Sequence, residues 1–493
     1  MTNLSDLFPA GAGKQVSFVA DGAISAAGKP VVLTAAGKVA PVGMTGPPEV
    51  SGQTTPSGTE PVSGSNSGMT YDSYRNRLLI AFTEQAWPDS GRCVSGAISG
   101  TTATYGTAIN FSSNNVERES ACFDSDNNVS LLSFRDQVTS DNLKVVCITM
   151  DVSGGLTAGT IVDSGDSTAA SALTYDTTNN VAVVAYQASS SSHQGTCRVV
   201  SISGTTPSLG AAANFNTGGV AYFDGQSIAF DSNAGKFVVT YGDATNSVYG
   251  TAVVGTVSGT TITYGTPVVF KSDAVYTSCI TFDSNANKMV IAFIDQNDGE
   301  SVNSIVGTVS GTAISFGSVS AEIAAKGEAF GIAFDSALNK VVLSYVERTT
   351  SDKGEVAVGT VSGTSITWTT PVEFYSALYS GESMAYNVSS ANCLVAYRES
   401  TGSFYLKANV ITTAGTNLTA ANFIGISDAA ILDTASGNVT IKGGIAATGL
   451  TSLTPGSDYY AQGDGTISTV STGSAVKIGK AMSATSINLE YQS

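Results

Sequence analysis

The stretch "CITFDSNANKMVIAFID", residues 279–295, reads as one hairpin. Two runs of alternating apolar character, CITF and KMVIAF, flank Asp283 to Asn287, where Asp can bond its own backbone and Asn tolerates a left-handed conformation. Its parts recur along the whole chain. The pair Phe282-Asp283 returns as Tyr71-Asp72, Phe123-Asp124, Tyr175-Asp176, Phe230-Asp231, Phe334-Asp335 and, degenerately, Tyr386-Asn387. The spacings between the second members are 52, 52, 55, 52, 52 and 52 residues, which makes seven units. Ten residues after each anchor stands a further aromatic: Phe82, Phe134, Tyr186, Tyr241, Phe293, Tyr345 and Tyr397. The turn position is held by Asn76, Asn128, Asn180, Asn287 and Asn339, with Gly235 once, and both residue types adopt positive φ.

Each unit continues through a second hairpin, clearest in "VVGTVSGTTITYGTPVVF" at 253–270 and repeated at 305–316 and 357–374, where Ser-Gly-Thr is the turn signal. Four antiparallel strands per unit follow. Seven such units predict an all-β fold, a seven-bladed β-propeller of four-stranded blades. A linear β-solenoid competes, but its repeat is usually shorter and its strands parallel. In the first strand, large Ile228, Ile280 and Ile332 alternate with small Ala229, Thr281 and Ala333, and Ile291, Ala292 and Phe293 alternate in the second, a pattern suited to sheets that interdigitate. Four residues before each anchor stand Gly68, Ser120, Ala172, Ser227, Cys279, Gly331 and Ser383, which places only small side chains near the axis.

The expected organisation is an N-terminal β segment and linker at 1–60, the propeller at 61–420 and a C-terminal β domain at 421–493. "KPVVLTAAGKVAPV" (29–42) and "SDYYAQGDGTISTV" (457–470) both read as strand, turn, strand. A closed ring brings its ends together, so the two flanks can fold as one small domain. The Pro, Gly and Ser-rich stretch 43–68 reads as a linker that either stays extended or adds an outer strand to the last blade.

Composition narrows the chemistry. A net charge of −17 without clustered Lys or Arg argues against a nucleic-acid partner. No apolar run approaches the roughly 20 residues that span a bilayer, so membrane insertion is not expected, and no secretory signal is visible at the N-terminus. Cys122, Cys279 and Cys393 occupy strand positions where other repeats carry Ser, Thr, Val or Ala, so small buried thiols are expected over disulfides. The one histidine, His193 in "SSSSHQG", reads as a solvated loop residue. No Ser-His-Asp set, Gly-x-Ser-x-Gly elbow, sialidase Asp-box or metal-spaced Cys/His cluster is present, and no catalytic residue, cofactor or metal is expected.

Twelve residues past the anchors stand Glu84, Asp136, Ala188, Asp243, Asp295, Glu347 and Glu399, an acidic series in six of seven units. It reads either as a ring for cations or basic groups, or, with greater weight because it follows the repeat, as carboxylates fixing their own loops. The loops joining strands 2 to 3 and 4 to 1 share one face of a propeller, the expected binding surface. The 55-residue interval has its excess in "NFNTGGVAYFDGQS" (214–227) and brings Tyr222 and Phe223 to that face. Trp87, Tyr276 and Tyr379 complete a set of aromatics suited to sugar stacking or a protein interface, or else packed beneath their loops.

The repeated "VVGTVSGTTITYGTPVVF" with "FDSNANKMVIAF", over roughly 64–415, and the tail "GGIAATGLTSLTPGSDYYAQGDGTISTVSTGSAVKIGKAMSATSINL" (443–489) resemble tail-fibre-like virion structural proteins of tailed, especially marine, phages. The shared motifs are structural and carry no catalytic residues. The resemblance implies a non-enzymatic component of the virion that exposes its loop face for host-surface attachment. Its partners would be other virion proteins, copies of itself, and a host surface glycan or protein. A capsid or tail decoration protein and a polysaccharide-cleaving glycosidase are the alternatives.

Overall fold

The computed structural model describes residues 14–490 apart from 44–46, 64–66, 86–88, 190–191, 222, 224–225, 350–351, 378, 401, 414–416, 464 and 472–474, with the side chains of 329 and 330 also outside the description. The chain forms two compact units, one of residues 48–413 and one in which 1–47 and 414–493 come together. The larger unit therefore starts and stops earlier than the 61–420 expected.

The cause of the earlier start is a strand. The seventh repeat supplies three strands, Tyr379–Asn387, Asn392–Glu399 and Leu406–Thr412, and the fourth is Glu49–Val50, in register with Thr412 and Ile411. Part of the expected linker thus closes the last sheet from the opposite end of the repeat array. Further along, Thr54 bridges Ala408 and Pro61 bridges Tyr405.

Every repeat builds one antiparallel sheet. In the first, Gly68–Asp72, Arg77–Glu84 and Ser90–Ser99 pair in sequence, and the fourth position is split between Thr102–Tyr105 and Ile109–Ser112, both on the third strand. The second to sixth sheets keep this order; the strands Val162–Asp176 and Val268–Asp283 run on from the edge of one sheet into the inner strand of the next. The anchor turn is the same in all seven. Asp72, Asp124, Asp176, Asp231, Asp283, Asp335 and Asn387 each accept from the backbone N–H groups two and three residues on, at 2.8–3.2 Å. The positive φ falls where expected on five Asn and Gly235, and in the seventh turn on Ala391, at 52°.

Alternation divides each strand between two neighbours. Ile228, Val239 and Tyr241 of the fourth sheet pack towards the third, while Ala229, Val238 and Val254 pack towards the fifth. Seven such apolar interfaces join consecutive sheets, and the one containing Met69, Ile80 and Phe82 with Leu394, Ala396 and Val410 joins the first to the seventh. The unit is all-β and propeller-like; a linear stack would leave that last contact unmade.

The aromatics ten residues past the anchors are the keystones of these interfaces. Phe134, Tyr241, Phe293 and Tyr397 each receive a phenylalanine from the outer strand of the preceding sheet, Phe111, Phe215, Phe270 and Phe374, at 5.2, 5.2, 5.4 and 5.3 Å between centroids. Below each phenylalanine lies a third-strand glycine, Gly91, Gly195, Gly250 or Gly354, whose missing Cβ would sit 2.2–2.7 Å from the ring. The remaining sheets have Leu143, Val302 and Leu406 at this place and lack the ring.

In the smaller unit, Gln15–Val19, Ser436–Ile441, Phe423–Ser427, Pro30–Leu33 and Val39–Pro41 form one five-stranded sheet, so strands from both ends of the chain interleave. A second sheet comes from the last repeat-free segment, with Val476–Ser483 at its centre, and Phe423 and Ile426 of the first sheet share a core with Tyr459, Ile478 and Ile487 of the second.

Candidate functional site: the loop-bearing face and the axial cavity

Each described member of the acidic series is engaged next to its own loop. Asp136 caps a short turn by accepting from Val138 and Thr139, and also takes Asn114 and, at 2.8 Å, the Lys144 ammonium. Burial pushes its carboxyl up, but the bonds from Lys144 and Asn114 outweigh this and hold it below the usual range. Asp243 accepts from Thr245, Asp295 from Asn297 and from Lys271 at 2.6 Å, and Glu347 from Thr349. Glu84 meets Arg92 at 2.7 Å, and Glu399 accepts from the Tyr405 N–H beside Lys407. These six do not converge on a common centre; each is bonded beside its own loop, and Asp295 also reaches Lys271 in the outer edge of the preceding sheet.

The expected aromatic set divides. Trp87 and Tyr222 lie outside the described residues. Phe223 and Tyr379 are buried, which is the packed alternative and not the exposed one. The inserted loop folds Phe223 back into the gap between the third and fourth sheets, against Phe215, because there its ring is removed from water. Tyr379 begins the inner strand of the seventh sheet and is enclosed by Phe374, Tyr375 and Tyr397. Tyr276 is half-buried at the start of its inner strand, its hydroxyl accepting from Gln296 at 2.7 Å. His193 is exposed, and all six cysteines are buried and unbridged.

The polar chemistry gathers instead at the axis, one residue before the small positions read from sequence. Here Ser67, Glu119, Ser171, Gln226, Ser278 and Glu382 occupy equivalent places, and most tie one sheet to the one before it. Ser171 meets Ser133 at 2.9 Å, Ser278 donates to Thr240 at 2.9 Å and Ser67 meets Ser383 at 2.8 Å. Glu382 accepts from Ser344 of the sixth sheet and, at 2.5 Å, from the Tyr379 hydroxyl. Gln226 crosses the axis: its Oε1 accepts the Ile332 N–H at 2.9 Å, while its amide reaches the Ile332 and Met384 carbonyls. Glu119, Gln226, Glu382 and four serines line an axial cavity of about 110 Å3.

Glu119 lies 2.5 Å from Thr83 Oγ1, and the Val116 carbonyl lies 2.7 Å from the same oxygen. One hydroxyl proton serves one of these acceptors, so a protonated Glu119 supplies the other bond. Burial raises its carboxyl to about 7, and burial raises Glu382 to about 8. The axis therefore holds two carboxyls whose proton affinity burial raises well above that of an exposed glutamate. Sequence reasoning missed them. The signal was available in the column itself, where Glu and Gln interrupt serines.

No protein-family model matches the chain, and no curated protein matches it. Among solved structures, a protein of unknown function from Dyadobacter fermentans DSM 18053 aligns over 74% of this chain and 98% of its own, with 11% identity and a TM-score of 0.47. A protein from Lactobacillus plantarum aligns over 74% and 97%, at 11% identity and 0.45. The periplasmic gluconolactonase PpgL of Pseudomonas aeruginosa aligns over 63% and 86%, at 8% identity and 0.46. Likeness at this level carries nothing about activity.

Proposed function

We propose that this chain is a non-enzymatic virion structural protein of the tail-fibre-like kind, whose larger unit is a seven-bladed β-propeller that presents its loop-bearing face to a molecule on the host surface. Support for the propeller is the cyclic set of apolar interfaces, with the first sheet packed on the seventh. The observation that carries the non-enzymatic reading is the fate of the carboxylates. The acidic series is engaged beside its own loops, and the two axial carboxyls, raised by burial, are bonded to Thr83, Ser344 and Tyr379 beside a cavity of about 110 Å3. A glycosidase needs one ionised and one protonated carboxyl on either side of a bound sugar, and a cavity of this size takes a small cluster of waters. The virion setting rests on the sequence resemblance.

The test is retention of the purified protein on an array of bacterial surface polysaccharides, with reducing ends measured in parallel. Retention without new reducing ends is the expected result. New reducing ends would overturn the non-enzymatic reading, and absence of retention would overturn glycan attachment.

A further inference from the structure

Six residues before each anchor the seven repeats carry Asn66, Arg118, Ala170, Gly225, Thr277, Ala329 and Gly381. The column is small except for one arginine. Arg118 sits in the bulge that interrupts the inner ladder of the second sheet between Glu117 and Ser120. Its φ is 60°, and Gly381 at the matching bulge of the seventh sheet has 64°. Arginine thus stands in a left-handed conformation that glycine adopts at lower cost. Strain of this kind persists where a side chain is needed in one place.

The place is a cavity of about 250 Å3 on the loop-bearing face, lined by Arg118, Ala169, Ala170, Gln187, Phe223, Tyr276 and Thr277. The small residues of the column, Ala170 and Thr277, leave the room that Arg118 faces. Thr277 also lines the axial cavity, so this opening lies at the mouth of the axis. Arg75, Arg92, Arg135, Arg198 and Arg348 all have carboxylate partners; Arg118, like Arg77 and Arg398, has no ion pair among the described residues, and Arg398 donates instead to the Val62 carbonyl. Its acidic neighbours are committed elsewhere, Glu117 to Arg135 at 3.6 Å and Glu119 to Thr83.

We propose that this opening binds a carboxylate-bearing sugar residue of a surface polysaccharide, the Arg118 guanidinium taking the carboxylate and the Tyr276 ring lying against the sugar. A guanidinium fork matches a carboxylate in two parallel bonds, and a half-buried tyrosine ring offers the apolar face of a pyranose a flat partner. In a chain of net charge −17, a cation without an ion partner in a concave site selects for an anion against the field of the whole protein. The inference rests on the attachment reading and names its ligand class.

Calorimetric titration with trigalacturonic acid and with neutral maltotriose tests it, on the full chain and on Arg118→Gly, Arg118→Lys and Tyr276→Ala. The wild-type protein is expected to bind the acidic trimer at least tenfold more tightly than the neutral one, with the preference shrinking as salt rises. Arg118→Gly should abolish the preference while its melting temperature holds or increases, since glycine relieves the backbone. Arg118→Lys should keep part of it, and Tyr276→Ala should weaken binding of the acidic trimer. Equal affinity for the two trimers, or a preference that survives Arg118→Gly, overturns the proposal. Retention of neutral glycans on the array without preference for acidic ones overturns this inference alone, whereas no retention of any glycan removes the attachment reading with it.

Discussion

Carboxyl groups occur in two zones of the larger unit, at the outer ends of the second strands and at the axis, and they behave oppositely. The outer set, typified by Asp136 and Asp295, is met by Lys144, Lys271 and backbone N–H groups. The axial pair, Glu119 and Glu382, makes no ion pair among the described residues; burial raises both carboxyls, against the opposing pull of the bonds from Thr83, Ser344 and Tyr379. The outer set follows the repeat, and the axial pair breaks it. Residues that recur at a fixed spacing serve a need every sheet has, while residues that interrupt a column answer a need of one place only.

The strongest way to separate the two zones is pH. The folded values of Glu119 and Glu382 are raised above the ordinary 4.5, to about 7 and about 8, so the stability linked to them is complete below 4.5 and is lost as pH climbs through those values. Asp136 is lowered, so its contribution is present above 3.8 and is lost as pH falls through its lower value. Denaturant midpoints should therefore decline by several kcal/mol equivalent from pH 5 to 9, and the double variant Glu119→Gln, Glu382→Gln should flatten that decline. A midpoint that rises across this range would contradict the raising of these two carboxyls by burial.

Next in size is Glu382→Ala at pH 6. It strands the buried Tyr379 hydroxyl, leaves Ser344 only the longer bond to the Gly331 carbonyl, and is expected to cost about 3 kcal/mol by urea unfolding. In the outer zone, Asp295→Ala frees the Asn297 N–H and takes from Lys271 the nearer of its two carboxylates, leaving Asp273, with an expected loss of about 1 kcal/mol in the same measurement. The smallest effect concerns the repeat's own exception. Ala391 holds φ of 52° where five other turns have Asn and one has Gly, so Ala391→Gly should stabilise by about 0.5 kcal/mol. A loss at Ala391→Gly would show that the seventh turn is not equivalent to the rest.

The repeat made much of the fold legible. Anchor acid, turn Asn and following aromatic fix a hairpin locally, and their spacing fixes how many sheets form, because all three depend on backbone geometry that sequence states directly. What escaped depends on contacts between sheets. The burial of Phe223 and Tyr379 follows from gaps left by neighbours, such as that beside Phe215, and no feature of "VAYFDG" or "ALYSGE" encodes that gap. The Phe-over-Gly stack is likewise divided between two repeats, Phe270 in one and Phe293 in the next. At the axis, the small column was read while the adjacent one, carrying Glu119, Gln226 and Glu382, was not, since its meaning appears only once strands from opposite sides face each other.

The strand Glu49–Val50 lends the seventh sheet its outer edge from ahead of the first repeat. Order of synthesis and order of assembly are therefore reversed at this seam: a strand made ahead of the first repeat must wait for the last strand of the seventh. A nascent chain halted before Leu406 would carry an unmated strand with a bare edge, open to pairing with other molecules. The seam makes closure of the last sheet a check that the whole repeat array has been made, passed only when both ends of the array are present.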